Sequence, residues 1–126
     1  MNENFNGFRM PAEWEPQNSV WIAWPYNKND WPGLFEKIPN VVGKIIKYLT
    51  KHQRIDLLVN NTKSIKTTRA YLKKIGCNIS NIKFHKLKTD RIWLRDSGPI
   101  FMVSNKNRKK TMHDFRFNDW SKYKNF

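Results

Sequence analysis

Apolar and polar positions fall into short blocks whose spacing predicts strands and helices in turn. "SVWIAWP" (19–25) is a run of β-branched and aromatic residues that ends in proline, and it reads as a strand. "YNKNDWPG" (26–33) is rich in turn formers. Pro39 suits a first helical turn, where its missing N–H costs nothing. Val42, Ile45, Ile46 and Leu49 then recur at three- and four-residue spacing, while Lys44, Lys47 and Lys51 fall elsewhere. That spacing predicts an amphipathic helix with those four residues inward. "RIDLLVN" (54–60) predicts a short strand, broken by Asn60-Asn61-Thr62. A second amphipathic helix is expected from about Ser64 to Ile75, with Ile65, Leu72 and Ile75 inward and Gly76 as a left-handed C-terminal cap. "IKFHKL" (82–87) alternates as a half-buried strand does. "PIFMVSN" (99–105) and "TMHDFRFN" (111–118) flank the basic turn "KNRKK" and predict a hairpin. Residues 1–18 carry no clear period and read as an extended lead-in. The order strand, helix, strand, helix, strand, hairpin predicts an α/β fold.

Composition narrows the class. The chain has 126 residues, a length that suits one domain. Aromatic residues make up 14%, including six Trp, which argues for a packed fold rather than a disordered one. The net charge of +14 raises a nucleic-acid or anionic partner, but the lysines are scattered, and charge alone speaks to solubility more than to function. One cysteine, Cys77, excludes an internal disulfide framework and a Cys-rich zinc site. His52, His85 and His113 show no metal-ligand spacing, so no metal is expected. No apolar stretch approaches the ~20 residues of a membrane span. "MNENFNGFRM" lacks a signal-peptide core, so a cytoplasmic location is expected.

The segment "DRIWLRDSGPIF" (90–101) concentrates the chemistry. It sets Asp90, Arg91, Arg95 and Asp96 around Trp93 and then breaks at Ser97-Gly98-Pro99. In an unbroken strand Asp90 and Asp96 would share a face and Trp93 would point away. A bend near Gly98 brings the Trp93 ring and the Asp96 carboxylate toward one pocket. Such a pocket suits a guanidinium, which donates two parallel hydrogen bonds to a carboxylate and stacks on an aromatic ring. The alternative is an internal cluster in which Arg91 and Arg95 pair with Asp90 and Asp96.

Three segments in order, "MPAEWEPQNSVWIAWPYNKNDWPG", "IWLRDSGPIF" and "DFRFNDW", resemble the N-terminal third of the agmatine deiminase and bacterial-type peptidylarginine deiminase family. The resemblance implies the pentein fold, a five-bladed α/β propeller of ββαβ units. The chain then supplies one such blade plus part of the next, and residues 1–126 form a single partial domain. It implies that Asp96 binds the substrate guanidinium and counts among the catalytic residues, and that Trp93 lines the substrate pocket. Asp90, Arg95 and Trp120 lie near these motifs and are assigned no role.

The implied reaction converts agmatine to N-carbamoylputrescine, or peptidyl-arginine to citrulline, with release of ammonia. A cysteine thiolate attacks the guanidinium carbon, carboxylates hold the nitrogens, and a histidine moves protons. No metal or organic cofactor takes part. The family's Gly-rich cysteine segment and its histidine segment have no counterpart here. Cys77, in "KKIGCNIS", reads as a small packed thiol. The chain is therefore expected to be an N-terminal fragment of a guanidine deiminase, inactive alone, whose partners are a guanidinium substrate and either itself or a missing C-terminal portion. A basic nucleic-acid-binding module and an inactive folded remnant stay open as alternatives.

Overall fold

A computed structural model describes residues 7–89, 91–106 and 109–117. Its elements in chain order are β1 (Phe8–Arg9), β2 (Ser19–Ala23), α1 (Ile38–Leu49), β3 (Arg54–Val59), α2 (Thr62–Lys74), β4 (Ile82–Lys86), α3 (Leu94–Ser97), β5 (Ile100–Ser104) and β6 (Lys110–His113). They form an α/β structure with two sheets, in two compact units. One unit is Gln17–Leu94. The other joins the described residues up to Pro16 to those from Arg95 onward. No helix among the described residues is long and apolar enough to cross a membrane.

The first unit is a parallel sheet in the order β2-β3-β4, with Val20 opposite Ile55 and Leu57 opposite Phe84. Parallel neighbours need a crossover, which α1 and α2 provide. Val42 and Ile46 of α1 and Leu72 of α2 meet Ile55, Leu57, Val59 and Ile82 in one core, so both helices cover the same face of the sheet. The close approach of α1 and α2 depends on Gly43. A Cβ there would meet the Ile75 Cδ1 and Tyr71 Cε1 atoms at 2.9 Å each.

The element ends follow local chemistry. Pro39 sits in the first turn of α1. The buried Thr50 closes that helix: its hydroxyl donates to the Lys47 carbonyl (3.1 Å), and its own carbonyl accepts from Asn81 Nδ2 (2.9 Å). Asn61 caps α2 by accepting from the Ser64 N–H (2.8 Å). At the other end Gly76 takes φ 81°, Cys77 N–H donates to Leu72 C=O, and Gly76 N–H donates to Lys73 C=O, both at 3.0 Å. This paired C-terminal motif requires a left-handed residue, which glycine adopts without strain.

Ile45 corrects the expected inward stripe of α1. It is half exposed, in a row with the exposed Val41 and Tyr48. Spacings of three and four mark two adjacent stripes on a helix, and only the one through Val42, Gly43 and Ile46 meets the sheet.

The second unit is an antiparallel sheet in the order β1-β5-β6. The hairpin of β5 and β6 is present, with Phe101 opposite Met112. Residues 107 and 108 of its turn, and Asn118 at the end of the expected second strand, lie outside the described residues. The lead-in is not merely extended. Phe8 pairs with Ser104 and Arg9 with Val103, so a two-residue strand forms whose partner lies far along the chain. Arg9 then forks onto Glu15 at 2.6 and 2.8 Å and donates from Nε to Asn105 Oδ1 at 2.9 Å.

Leu72 is fully buried between α2 and the sheet. Leu72→Ala is expected to lower the unfolding free energy by about 2–5 kcal/mol, through lost transfer energy and a residual cavity. A urea midpoint that falls while the slope holds would show it; a loss under about 1 kcal/mol would show that the site collapses around the gap.

Candidate functional site

Three parallel strands end together, and the residues that follow each one carry the chemistry. Trp24 N–H bonds to the Leu58 carbonyl (2.9 Å) and Leu87 N–H to the Val59 carbonyl (3.1 Å), so pairing continues just past the strands. Asn60, next after β3, then ties itself to Thr89 beyond β4. Its Nδ2 donates to the Thr89 carbonyl (2.9 Å), while its Oδ1 accepts from the Thr89 N–H (3.3 Å) and hydroxyl (3.0 Å). The carboxyl edge of a parallel sheet is where α/β folds place ligands, because loops diverge there.

The loop after β2 brings Asp30 and Trp31 to this edge. Asn27 caps its short 3-10 turn, Lys28–Asp30, by accepting from the Asn29 N–H (3.0 Å). The Asp30 side chain is 1% exposed and pairs through Oδ1 with the Arg91 guanidinium, 61 residues away. Its Oδ2 is buried without a hydrogen-bond partner among the described residues. Trp31 packs on Trp93 at 5.8 Å between ring centroids, tilted by 47°, and on Phe35 at 6.4 Å. Trp93, the expected pocket residue, is 43% exposed. Ile92 beside it packs against the core.

Asp96, the expected guanidinium ligand, belongs to the other unit and is exposed. The boundary between the units falls inside α3, between Leu94 and Arg95. The condition of an unbroken strand is not met over the end of this segment: Leu94–Ser97 coil into α3, just before Gly98 and Pro99. Residues at even separation share a face only in a strand, so no shared face follows for Asp96. Asp90 and Trp120 lie outside the described residues. Arg91 and Arg95 reach acids distant in sequence, Asp30 and Glu13, which an expectation of pairing within the segment had no means to find.

A second polar cluster occupies the sheet face opposite the helices. Asp56, at the centre of β3, is 2% exposed. Trp21 of β2 and His85 of β4 stack at 4.9 Å and 27°; the carboxylate on the strand between their own bonds His85 Nε2 (2.8 Å) and Arg54 NH2 (3.2 Å). Burial pushes the Asp56 carboxyl up, but hydrogen bonds with Ser19, His85 and Arg54 outweigh it and hold it below its ordinary value. A depressed carboxyl contributes stability above its ordinary range, lost as the pH falls through it. Among the described residues no group of three or more His, Cys, Asp and Glu side chains could hold a metal ion.

Cys77 is buried in the core, and its thiol lies 3.8 Å from the Gly43 carbonyl. Burial raises its pKa, opposed by the nearby charge of Lys47. A thiol held neutral in this way is a poor nucleophile.

The α/β frame described above is similar in fold to solved agmatine deiminases. A C. jejuni agmatine deiminase with substrate bound superposes with a TM-score of 0.74 at 26% identity, covering 92% of this chain and 32% of that one. An agmatine deiminase of Enterococcus faecalis does so at 0.75 and 25%, covering 90% and 29%. The chain belongs to the Porphyromonas-type peptidyl-arginine deiminase family, whose sequence model matches residues 9–126. An agmatine deiminase of Pseudomonas aeruginosa (strain LESB58) is 28% identical over 115 residues, or 91% of this chain. The chain spans about 30% of the length of the curated relatives it matches, in their N-terminal part.

Two measurements test the electrostatics. The Arg9 hydrogen bonds, with one from the Ala12 N–H, lower the Glu15 pKa from 4.5 to about 2. The stability this lends is complete above the ordinary value and is lost as the pH falls toward about 2. A carbon-detected NMR titration is expected to place Glu15 there and to return it toward 4.5 in Arg9→Ala; an unmoved midpoint would deny the fork its role. In the native chain Cys77 is expected to resist a thiol reagent at neutral pH and to react at once in denaturant. Fast native labelling would contradict its burial.

Proposed function

We propose that this chain is the guanidinium-holding portion of a deiminase that hydrolyses agmatine or a peptidyl-arginine side chain to a ureido product and ammonia. Family membership across residues 9–126 carries this reading. The Pseudomonas relative and the C. jejuni structure are both named agmatine deiminase, which favours the small substrate. Residues 1–126 form part of one deiminase domain, a pentein-type blade followed by the start of the next. Asp96 holds the guanidinium nitrogens and is the catalytic residue contributed here, and Trp93 lines the substrate pocket. A carboxylate against a guanidinium keeps the carbon electrophilic and fixes its plane for attack. The attacking thiolate and the proton-transferring histidine come from the two thirds of the family fold that this chain does not span. Cys77, buried and neutral, is unsuited to the first role. The chain alone is therefore inactive. The basic nucleic-acid reading rests on net charge and scattered exposed aromatics such as Trp14 and Phe115, and it is not favoured.

The test is a colorimetric assay for N-carbamoylputrescine and citrulline, on this chain alone and with a complementary C-terminal portion. No turnover is expected alone. The mixture is expected to turn over agmatine, and Asp96→Asn to lower that rate by about a hundredfold or more, the scale for losing one stabilising group of the transition state. A rate indifferent to Asp96→Asn would refute the assignment.

A further inference from the structure

Lysines that look scattered in the sequence are gathered by the fold. Residues 57–89 contain eight Lys and Arg and no Asp or Glu, so eight of the fourteen excess positive charges fall in one segment. α2 carries Lys63, Lys66, Arg69, Lys73 and Lys74, and the other three lie on β4 or just past it. α2 is the crossover that leads into β4, and Arg69 lies over the Phe84 ring at 4.2 Å, so helix and strand are neighbours. β4 is an edge of its sheet. Lys86 shares the face of Phe84, since residues two apart in a strand lie on one side. All eight residues are exposed, and none makes an ion pair among the described residues.

A solvated helix face gains from mixed signs, because unlike charges three or four residues apart help a helix and like charges harm it. α2 does the reverse. Lys63 and Lys66, Lys66 and Arg69, and Arg69 and Lys73 are like charges at those spacings, on one side of the helix. No acid lies in the first turn, and Lys63 stands there against the helix dipole; only Lys73 and Lys74, in the last turn, suit it. The row therefore costs the free helix stability, and a polyanion laid along it removes that cost.

This face carries little besides charge. Among the described residues no large apolar side chain of α2 is exposed, and Leu87, past β4, is the one in the segment that is. A lipid surface holds a helix through apolar side chains that enter it, and a protein partner does so through buried anchors. Tyr71 and Phe84 are half-buried, and Phe84 lies beneath Arg69, so unpaired bases find no open ring to stack on. The ligand that answers charge alone most strongly is a duplex, whose bases are already stacked and whose phosphates are densest along the axis.

We propose that α2 and the adjoining edge of β4 form a binding face for the phosphate backbone of double-stranded nucleic acid, without regard to base sequence. The face is independent of the deiminase reading, because none of its residues belongs to the expected clamp.

The probe is a fluorescein-labelled DNA duplex of mixed sequence, followed by anisotropy against the full chain over a range of salt. Binding is expected, with a logarithmic salt slope of about one unit for each phosphate engaged. Lys63→Gln, Lys66→Gln and Lys73→Gln together keep good helix formers in place and spare Arg69. They are expected to weaken binding about tenfold or more at low salt and to make the slope shallower by about two to three. Lys28→Gln, Lys106→Gln and Lys110→Gln remove the same charge from outside α2 and β4, and are expected to weaken binding by less than about twofold. Equal losses in the two triple variants would reduce the effect to net charge and overturn the inference, as would no binding by the parent chain at low salt. The thermal midpoint of the unbound α2 variant is expected to hold or rise, since like-charge contacts are gone. A fall with a weakened helical signal would show that the row serves the helix itself, and it overturns the proposal. So does tighter binding of a single strand of the same sequence, or binding of phosphatidylserine vesicles as strong as that of the duplex at matched charge.

Discussion

The burial of β3 on both faces is the constraint on which the larger unit depends. Every residue from Ile55 to Val59 is buried, which only a central strand flanked on both edges can satisfy. Its backbone groups need partners on both sides, because unpaired buried amides are costly. β2 and β4 therefore lie in register with it: Ala23 faces Leu58, and Leu58 faces His85. Three chain segments then leave the sheet at one edge. The aromatic and ionic groups of the candidate site are gathered there by strand pairing, before any interaction among themselves.

The opposite sheet face shows how a chain of net charge +14 keeps acids inside. The side chains of Asp56 and Asp30 are both almost wholly buried, and each is answered by cationic or hydrogen-bonding side chains, at least one of them brought from a different element. For Asp56 these are Arg54 and His85, beside the stacked Trp21. Most of the excess lysines stay at the surface, where screening makes each count for little. Buried ion pairs contribute modestly to net stability, but removing one partner is costly. They act chiefly as constraints on where segments go.

Periodicity made the helices and strands of this unit legible before any coordinates. Leu72, Ile46 and Val42 mark the core face, and Gly76 and Pro39 mark helix ends, because each is governed by neighbours within a turn or two. The resemblance in "IWLRDSGPIF" pointed to the family. What stayed hidden depends on distant partners. β1 is two residues long and exists by virtue of β5. Ile45 obeys the helical spacing yet falls on the wrong side of it. The Asp30–Arg91 pair spans 61 residues, and Trp21 meets His85 across a strand that separates them. No local window contains either pairing. The single acid and the aromatics in "YNKNDWPG" were the available signal for Asp30 and Trp31, but the segment reads equally as a turn.

The density of charge around Trp93 has its physical account in this division. The segment ends one unit and begins the other. On the first side Arg91 reaches Asp30 and Ile92 enters the core. On the second, Arg95 reaches Glu13, 82 residues away. A strand would spread such charges along two faces and gain little from them. A short connection that must be anchored separately in each unit gains from every one, since ion pairs to distant partners fix a segment that has too few residues to bury a core of its own. The two arginines that look misplaced beside a tryptophan are what a connector of this kind requires.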